Sequence, residues 1–119
     1  MKHEMKLHQM PFEMIKSGRK TIELRLYDEK RRLISAGDEI EFTSRALGEK
    51  LLCRVIKLHI FDSFDALYEA LPLLECGYTE RDVSTASPRD MDAYYSLEEQ
   101  KRYGVVGIEL KIIKNSKEY

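Results

Sequence analysis

The ten residues Ser17-Gly18-Arg19-Lys20-Thr21-Ile22-Glu23-Leu24-Arg25-Leu26 decide how this chain is read. Ile22, Leu24 and Leu26 recur at every second position, the period of a strand with one face in a core. Thr21, Glu23 and Arg25 then share the opposite face, a polar row on a rigid element. Gly18 suits the left-handed conformation that closes a helix, which leaves Lys20 at the mouth of the strand with a long amine able to reach across the polar face. The simplest expectation for that face is a solvated surface with one Glu23–Arg25 ion pair.

Outward from this stretch, the chain reads as strand and helix in alternation. Lys2 to Gln9 carries Met5 and Leu7 in strand phase, and Pro11, Phe12 and Ile15 make a two-turn helix that delivers the chain through Gly18 into a strand from Gly18 to Leu26. Gly37-Asp38 is a turn, and Glu39 to Thr43 resumes alternation with Ile40 and Phe42 inward. Leu51 to Phe61 changes phase in its middle. Leu51, Cys53 and Val55 share one parity, Ile56, Leu58 and Ile60 the other, so the strand is expected to switch its buried face through a bulge.

Ser63 caps a helix with Phe64, Leu67, Tyr68 and Leu71 on one stripe, stopped by Pro72; Tyr68 reads as a core aromatic. Thr79 with Asp82, Ser87-Pro88 leading to Met91, Tyr94 and Tyr95, and Ser96 with Glu99 read as further helix starts. Val105 to Ile113 is the last strand, and Lys114 to Tyr119 a polar tail. The order describes a small α+β domain on a coiled or closed sheet.

With 119 residues, 43% of them apolar, the chain is long enough for one core. It lacks a run near the roughly twenty apolar residues that span a bilayer and a secretory leader, so a soluble, cytoplasmic protein is expected. Cys53 and Cys76 stand apart, and His3, His8 and His59 show no ligand spacing, so neither a metal nor another cofactor is expected.

The net charge of -1 hides an asymmetry. Lys16 to Arg32 holds seven bases against three acids, a balance of +4, whereas Asp62 to Glu99 holds ten acids against two bases, a balance of -8. A phosphate-bearing partner would be drawn to the first block, through residues such as Arg19, Arg31 and Arg32, and repelled by the second. A protein-interaction module on the acidic half has no motif behind it.

The run P-F-E-M-I-K-S-G-R-K-T-I-E-L-R-L from Pro11 to Leu26, the Gly37-Asp38 turn and the closing Y-G-V-V-G-I-E-L from Tyr103 to Leu110 resemble the ASCH domain. The core motif of that family, G-x-K-x-x-E-x-R, is met by Gly18, Lys20, Glu23 and Arg25. The resemblance covers residues 1–113. It implies a PUA-like mixed β-barrel with short covering helices, a cleft between the motif strand and those helices, and a role with RNA. One bacterial branch hydrolyses the acetyl amide of N4-acetylcytidine with a lysine and a threonine of the motif and a later glutamate. Lys20 matches the lysine and Glu75 is the match for the glutamate, while Glu23 replaces the threonine.

Two chemistries follow. In one, Lys20 and Arg25 bind phosphate or carboxylate, Glu23 accepts from the amino group of a base, Tyr78, Tyr94 or Tyr95 stacks on its ring, and Gly18 and Arg19 flank the site. In the other, Lys20 and Glu75 are the catalytic pair of a small amidohydrolase acting on an N4-acylated cytidine nucleoside. Binding of RNA or a nucleotide-like small molecule demands less, because it needs only charge, hydrogen bonds and a flat face. A carboxylate at position 23 beside Lys20 also opposes the free amine that hydrolysis requires.

Overall fold

The computed structural model describes residues 1–115. Five strands, β1 (Lys2–Leu7), β2 (Ile22–Leu26), β3 (Glu39–Ser44), β4 (Lys50–Phe61) and β5 (Val105–Asn115), form one sheet in the order β1-β3-β4-β5-β2. β1 runs parallel to β3 and every other pairing is antiparallel, so the α+β sheet is mixed. It curls into a half-barrel, open between its edge strands β1 and β2, with α1 (Gln9–Lys16), α2 (Phe64–Ala70) and α3 (Leu97–Tyr103) around it. This is the PUA-like architecture that the motif implies, with the barrel open at that seam rather than closed.

β2 lies between two cores. Its neighbour β5 sends Val106, Ile108 and Leu110 into the barrel interior with Phe12, Ile40, Phe42 and Val55. Ile22, Leu24 and Leu26 face the other way, against Phe64, Leu67, Tyr68 and Val105. Complete burial of Phe64 and Leu67, worth roughly 1.5–3 kcal/mol each, fixes α2 against the motif strand. Gly107 permits this approach, because a Cβ there would lie 2.8 Å from Leu71 Cδ1 and 3.1 Å from Ile22 Cγ2. With a core on one side and the barrel on the other, the polar row of β2 is not the solvated face that alternation alone suggests.

The local signals hold in most places. Ser63 Oγ accepts from the Ala66 N–H, and Ser96 with Glu99 forms a reciprocal capping box on α3. Ser87 and Asp90 form another box, but the segment it opens, Pro88–Ala93, is a 3-10 helix. The register of β4 against β5 shifts between Val55 and Lys57, where the phase change places a bulge. The expected second buried face does not follow: Ile56 and Ile60 are 45% and 51% exposed. β3 pairs with β4 only as far as Arg54, so beyond the bulge the strand's ladder partner is β5 alone; of Ile56, Leu58 and Ile60 only Leu58 packs on the barrel core, and Phe61 packs on the other core. The motif strand begins at Ile22 rather than Gly18, because Lys20 N–H donates to Met14 O and Thr21 N–H to Glu75 O, outside the ladder. β5 takes in Lys114 and Asn115 of the expected tail, and the remainder, 116–119, lies outside the described residues. Among the described residues no helix is long and apolar enough to cross a membrane.

Candidate functional site

The polar row of β2 forms a buried triad. Glu23, 4% exposed, accepts from Lys20 Nζ at 2.7 Å on Oε1 and from Arg25 Nε at 2.8 Å on Oε2. Burial pushes its carboxyl up, but the charges and hydrogen bonds of Lys20 and Arg25 together outweigh burial and hold it below the ordinary carboxylate value. One anion between two cations leaves a net positive wall. Arg25 Nη2 also donates to Lys6 O at 3.2 Å, which ties β2 to β1 across the open seam. Lys20 is held in place by its neighbours: its stem passes Gly77, whose φ of +112° bends the chain close to it, and a Cβ there would lie 3.4 Å from Lys20 Cδ.

A cleft of about 710 Å³ opens over this wall, within the size range of small-ligand sites. The barrel side contributes Lys6, His8, Lys20, Arg25 and Arg45; the helical side contributes Tyr68, Tyr78, Asp82, Asp90, Tyr94 and Tyr95. Basic and acidic-aromatic halves of the chain thus meet face to face. Tyr95 stacks on Phe64 with centroids 6.2 Å apart and planes 15° from parallel, and burial raises its phenol. Tyr94 is 69% exposed and tilted against Tyr95, with its ring at the cleft rim. Tyr78 is half-buried, and its hydroxyl meets the Tyr68 hydroxyl and the Asp90 carboxylate.

Of the site residues read from sequence, Lys20, Glu23, Arg25, Tyr78, Tyr94 and Tyr95 all line this cleft. Gly18 and Arg19 do not. Gly18, at φ +83°, ends α1 and borders a separate hollow of about 220 Å³ with Thr21 and Lys111, and Arg19 Nε donates to Ser17 Oγ on the surface. Glu75 is exposed, and its carboxylate accepts from Thr21 Oγ1 at 3.0 Å, so the Lys20–Glu75 pair is not assembled. Lys20 is paired with Glu23 instead. Cys76 lines the cleft, and burial pushes its thiol up to about 12, which disfavours the thiolate at neutral pH.

The basic block is only partly used. Arg31 pairs with Asp28, while Arg32 bonds Tyr103 O and lies 4.4 Å from the centre of the Tyr27 ring. The cleft draws its further bases from elsewhere, Lys6 at the end of β1 and Arg45 just after β3. Arg45 N–H donates to Leu7 O, a parallel-strand pairing between residues far apart in sequence, and no local pattern announces it. Asp82 is legible in the sequence only as a capping residue, and Asp90 only as one of the ten acids between Asp62 and Glu99. Among the described residues no group of three His, Cys, Asp or Glu side chains is placed to hold a metal ion.

Residues 5–114 match the ASCH domain family model, and the chain belongs to the ASCH family. Among solved structures, the crystal structure of hypothetical protein PH0355 is 37% identical with a TM-score of 0.79, matching 95% of this chain and 100% of that one. Protein PF0455 from Pyrococcus furiosus, solved by NMR, is 34% identical with a TM-score of 0.74, over 96% of this chain and 99% of its own. ASCH from Zymomonas mobilis, at 17% identity and a TM-score of 0.67, shares the fold over 97% of this chain and 72% of its own. No curated protein matches.

Proposed function

We propose that the cleft between β2 and the covering helices binds RNA or a nucleotide-like ligand. The observation that carries this reading is the Lys20–Glu23–Arg25 triad, a buried row with one net positive charge at the base of a cleft whose other wall is tyrosine-rich. Glu23 orients both cations and leaves each with donors to spare. Lys20 uses one of its N–H groups on Glu23, and Arg25 keeps Nη1 after its bonds to Glu23 and Lys6 O. Lys6 and Arg45 stand exposed at the rim, where phosphates extending from a bound nucleotide would meet them. Tyr94 offers its ring for stacking.

Hydrolysis of an N4-acylated cytidine fits less well. It would need Lys20 free of its carboxylate partner and a glutamate beside it, whereas Lys20 is ion-paired and Glu75 is bonded to Thr21. Titration of the protein with nucleoside monophosphates and short single-stranded RNAs tests the binding reading. Saturable binding lost in Lys20→Ala supports it; affinity unchanged by that substitution refutes it.

A further inference from the structure

The helical wall of the cleft carries a hydrogen-bonded chain that neither phosphate binding nor stacking uses. Tyr78 Oη donates to Asp90 Oδ2 at 2.7 Å, which commits its one proton. The 2.7 Å bond between the Tyr68 and Tyr78 hydroxyls must therefore run from Tyr68 to Tyr78. Ser87 N–H adds a bond to the same Asp90 oxygen at 3.1 Å. Every proton in this relay points toward Asp90. The relay's unused capacity is acceptor capacity alone: the remaining lone pairs of the two phenol oxygens, and Asp90 Oδ1, which has no protein partner among the described residues; Tyr68, Tyr78 and Asp90 all line the cleft. The bond from Tyr78 and the one from Ser87 hold the Asp90 carboxyl below its ordinary value, and burial, followed by the bonds to Asp90 and Tyr68, raises the Tyr78 phenol, so at neutral pH the direction does not reverse.

The opposite wall is its complement. Each Glu23 oxygen already accepts from a cation, and the spare donors on that wall belong to Lys20 and Arg25. A ligand that reaches from the triad to the relay is matched by an anion or a carbonyl on the first side and an N–H on the second. Among nucleobases, cytosine and adenine carry an exocyclic amino group where uracil and hypoxanthine carry a carbonyl, and a carbonyl facing the relay would set acceptor against acceptor. We propose that the Tyr68–Tyr78–Asp90 relay selects the base, accepting a hydrogen bond from the exocyclic amino group of the bound nucleotide. This rests on the nucleotide-binding role proposed for the cleft and adds to it a rule of base choice.

The test is binding calorimetry with two matched pairs, cytidine against uridine 5′-monophosphate and adenosine against inosine 5′-monophosphate. Within each pair phosphate and sugar are constant. The amino-bearing member is expected to bind about tenfold more tightly in both pairs, the discount from larger values reflecting the exposure of Asp90. Tyr78→Phe should bring the ratio close to one, and Asp90→Asn, which puts an amide N–H donor where Oδ1 offered an acceptor, should bring it to one or below by weakening the amino-bearing member and favouring the keto one. Asp90→Asn keeps an acceptor for Ser87 N–H, so a folded variant is secured even if Tyr78→Phe loses stability. Equal affinity within both pairs, or a preference that survives both substitutions, overturns base selection and leaves the nucleotide-binding role standing. Failure of any nucleotide or short RNA to bind overturns both.

Discussion

Replacing Glu23 with Gln probes the triad without changing its size. The wild-type carboxylate is 4% exposed and serves two cations whose side chains are only 10% and 16% exposed. Removing one partner of a fully buried ion pair costs about 3–5 kcal/mol, because the remaining charge is left without compensation. Lys20 and Arg25 border an open cleft whose solvent recovers part of this, so about 2–3 kcal/mol is expected. For a domain of this size that lowers the melting temperature by roughly 8–12 °C. The sign of the pH dependence follows from the depressed carboxyl of Glu23. Its contribution is complete above the ordinary value of about 4.3 and fades as pH falls through the lower folded value, when wild type also carries a neutral side chain. Denaturant unfolding of wild type and Glu23→Gln from pH 7 to pH 3 should show the largest gap at neutrality and a narrowing gap below about pH 4. Equal stability at pH 7, or a gap that widens on acidification, refutes the buried triad.

Other perturbations separate the parts of the cleft. Lys6→Ala with Arg45→Ala should lower the slope of log affinity against log salt for single-stranded RNA by about 1.4, near 0.7 for each phosphate no longer neutralised, with little change in melting. Arg19→Ala, outside the cleft, should leave that slope unchanged. Gly77→Ala places a side chain at φ +112° and against the Lys20 stem, so a loss of about 1–2 kcal/mol in stability with a severalfold loss of ligand affinity is expected from paired melting and binding measurements.

The motif strand, the short helix before it and the capped helices were legible because their signals are local: alternation at Ile22, Leu24 and Leu26, a glycine at the end of α1, serine caps at Ser63 and Ser96. The buried state of Glu23 was not. Alternation tells which residues share a face but not what covers it, and here the barrel interior covers the polar side. Ile56 and Ile60 show the converse. Their apolar character suggested a buried face, but β3 stops short and leaves them in solvent. Lys6 and Arg45 reach the cleft only through parallel pairing of β1 with β3, strands more than thirty residues apart in sequence. The place of Glu75 before Cys76-Gly77 fixes its position along the chain but not the direction of its side chain. The turn directs the carboxylate to Thr21 rather than to Lys20.

The most direct measurement is a titration of wild type, Lys20→Ala and Glu75→Ala with short RNAs, nucleoside monophosphates and N4-acetylcytidine, following both binding and product. Expected is saturable binding by wild type and by Glu75→Ala, loss of binding in Lys20→Ala, and little or no acetate released by any of the three. Robust release of acetate by wild type, abolished in both Lys20→Ala and Glu75→Ala, would contradict the binding role and establish the cleft as a hydrolytic site.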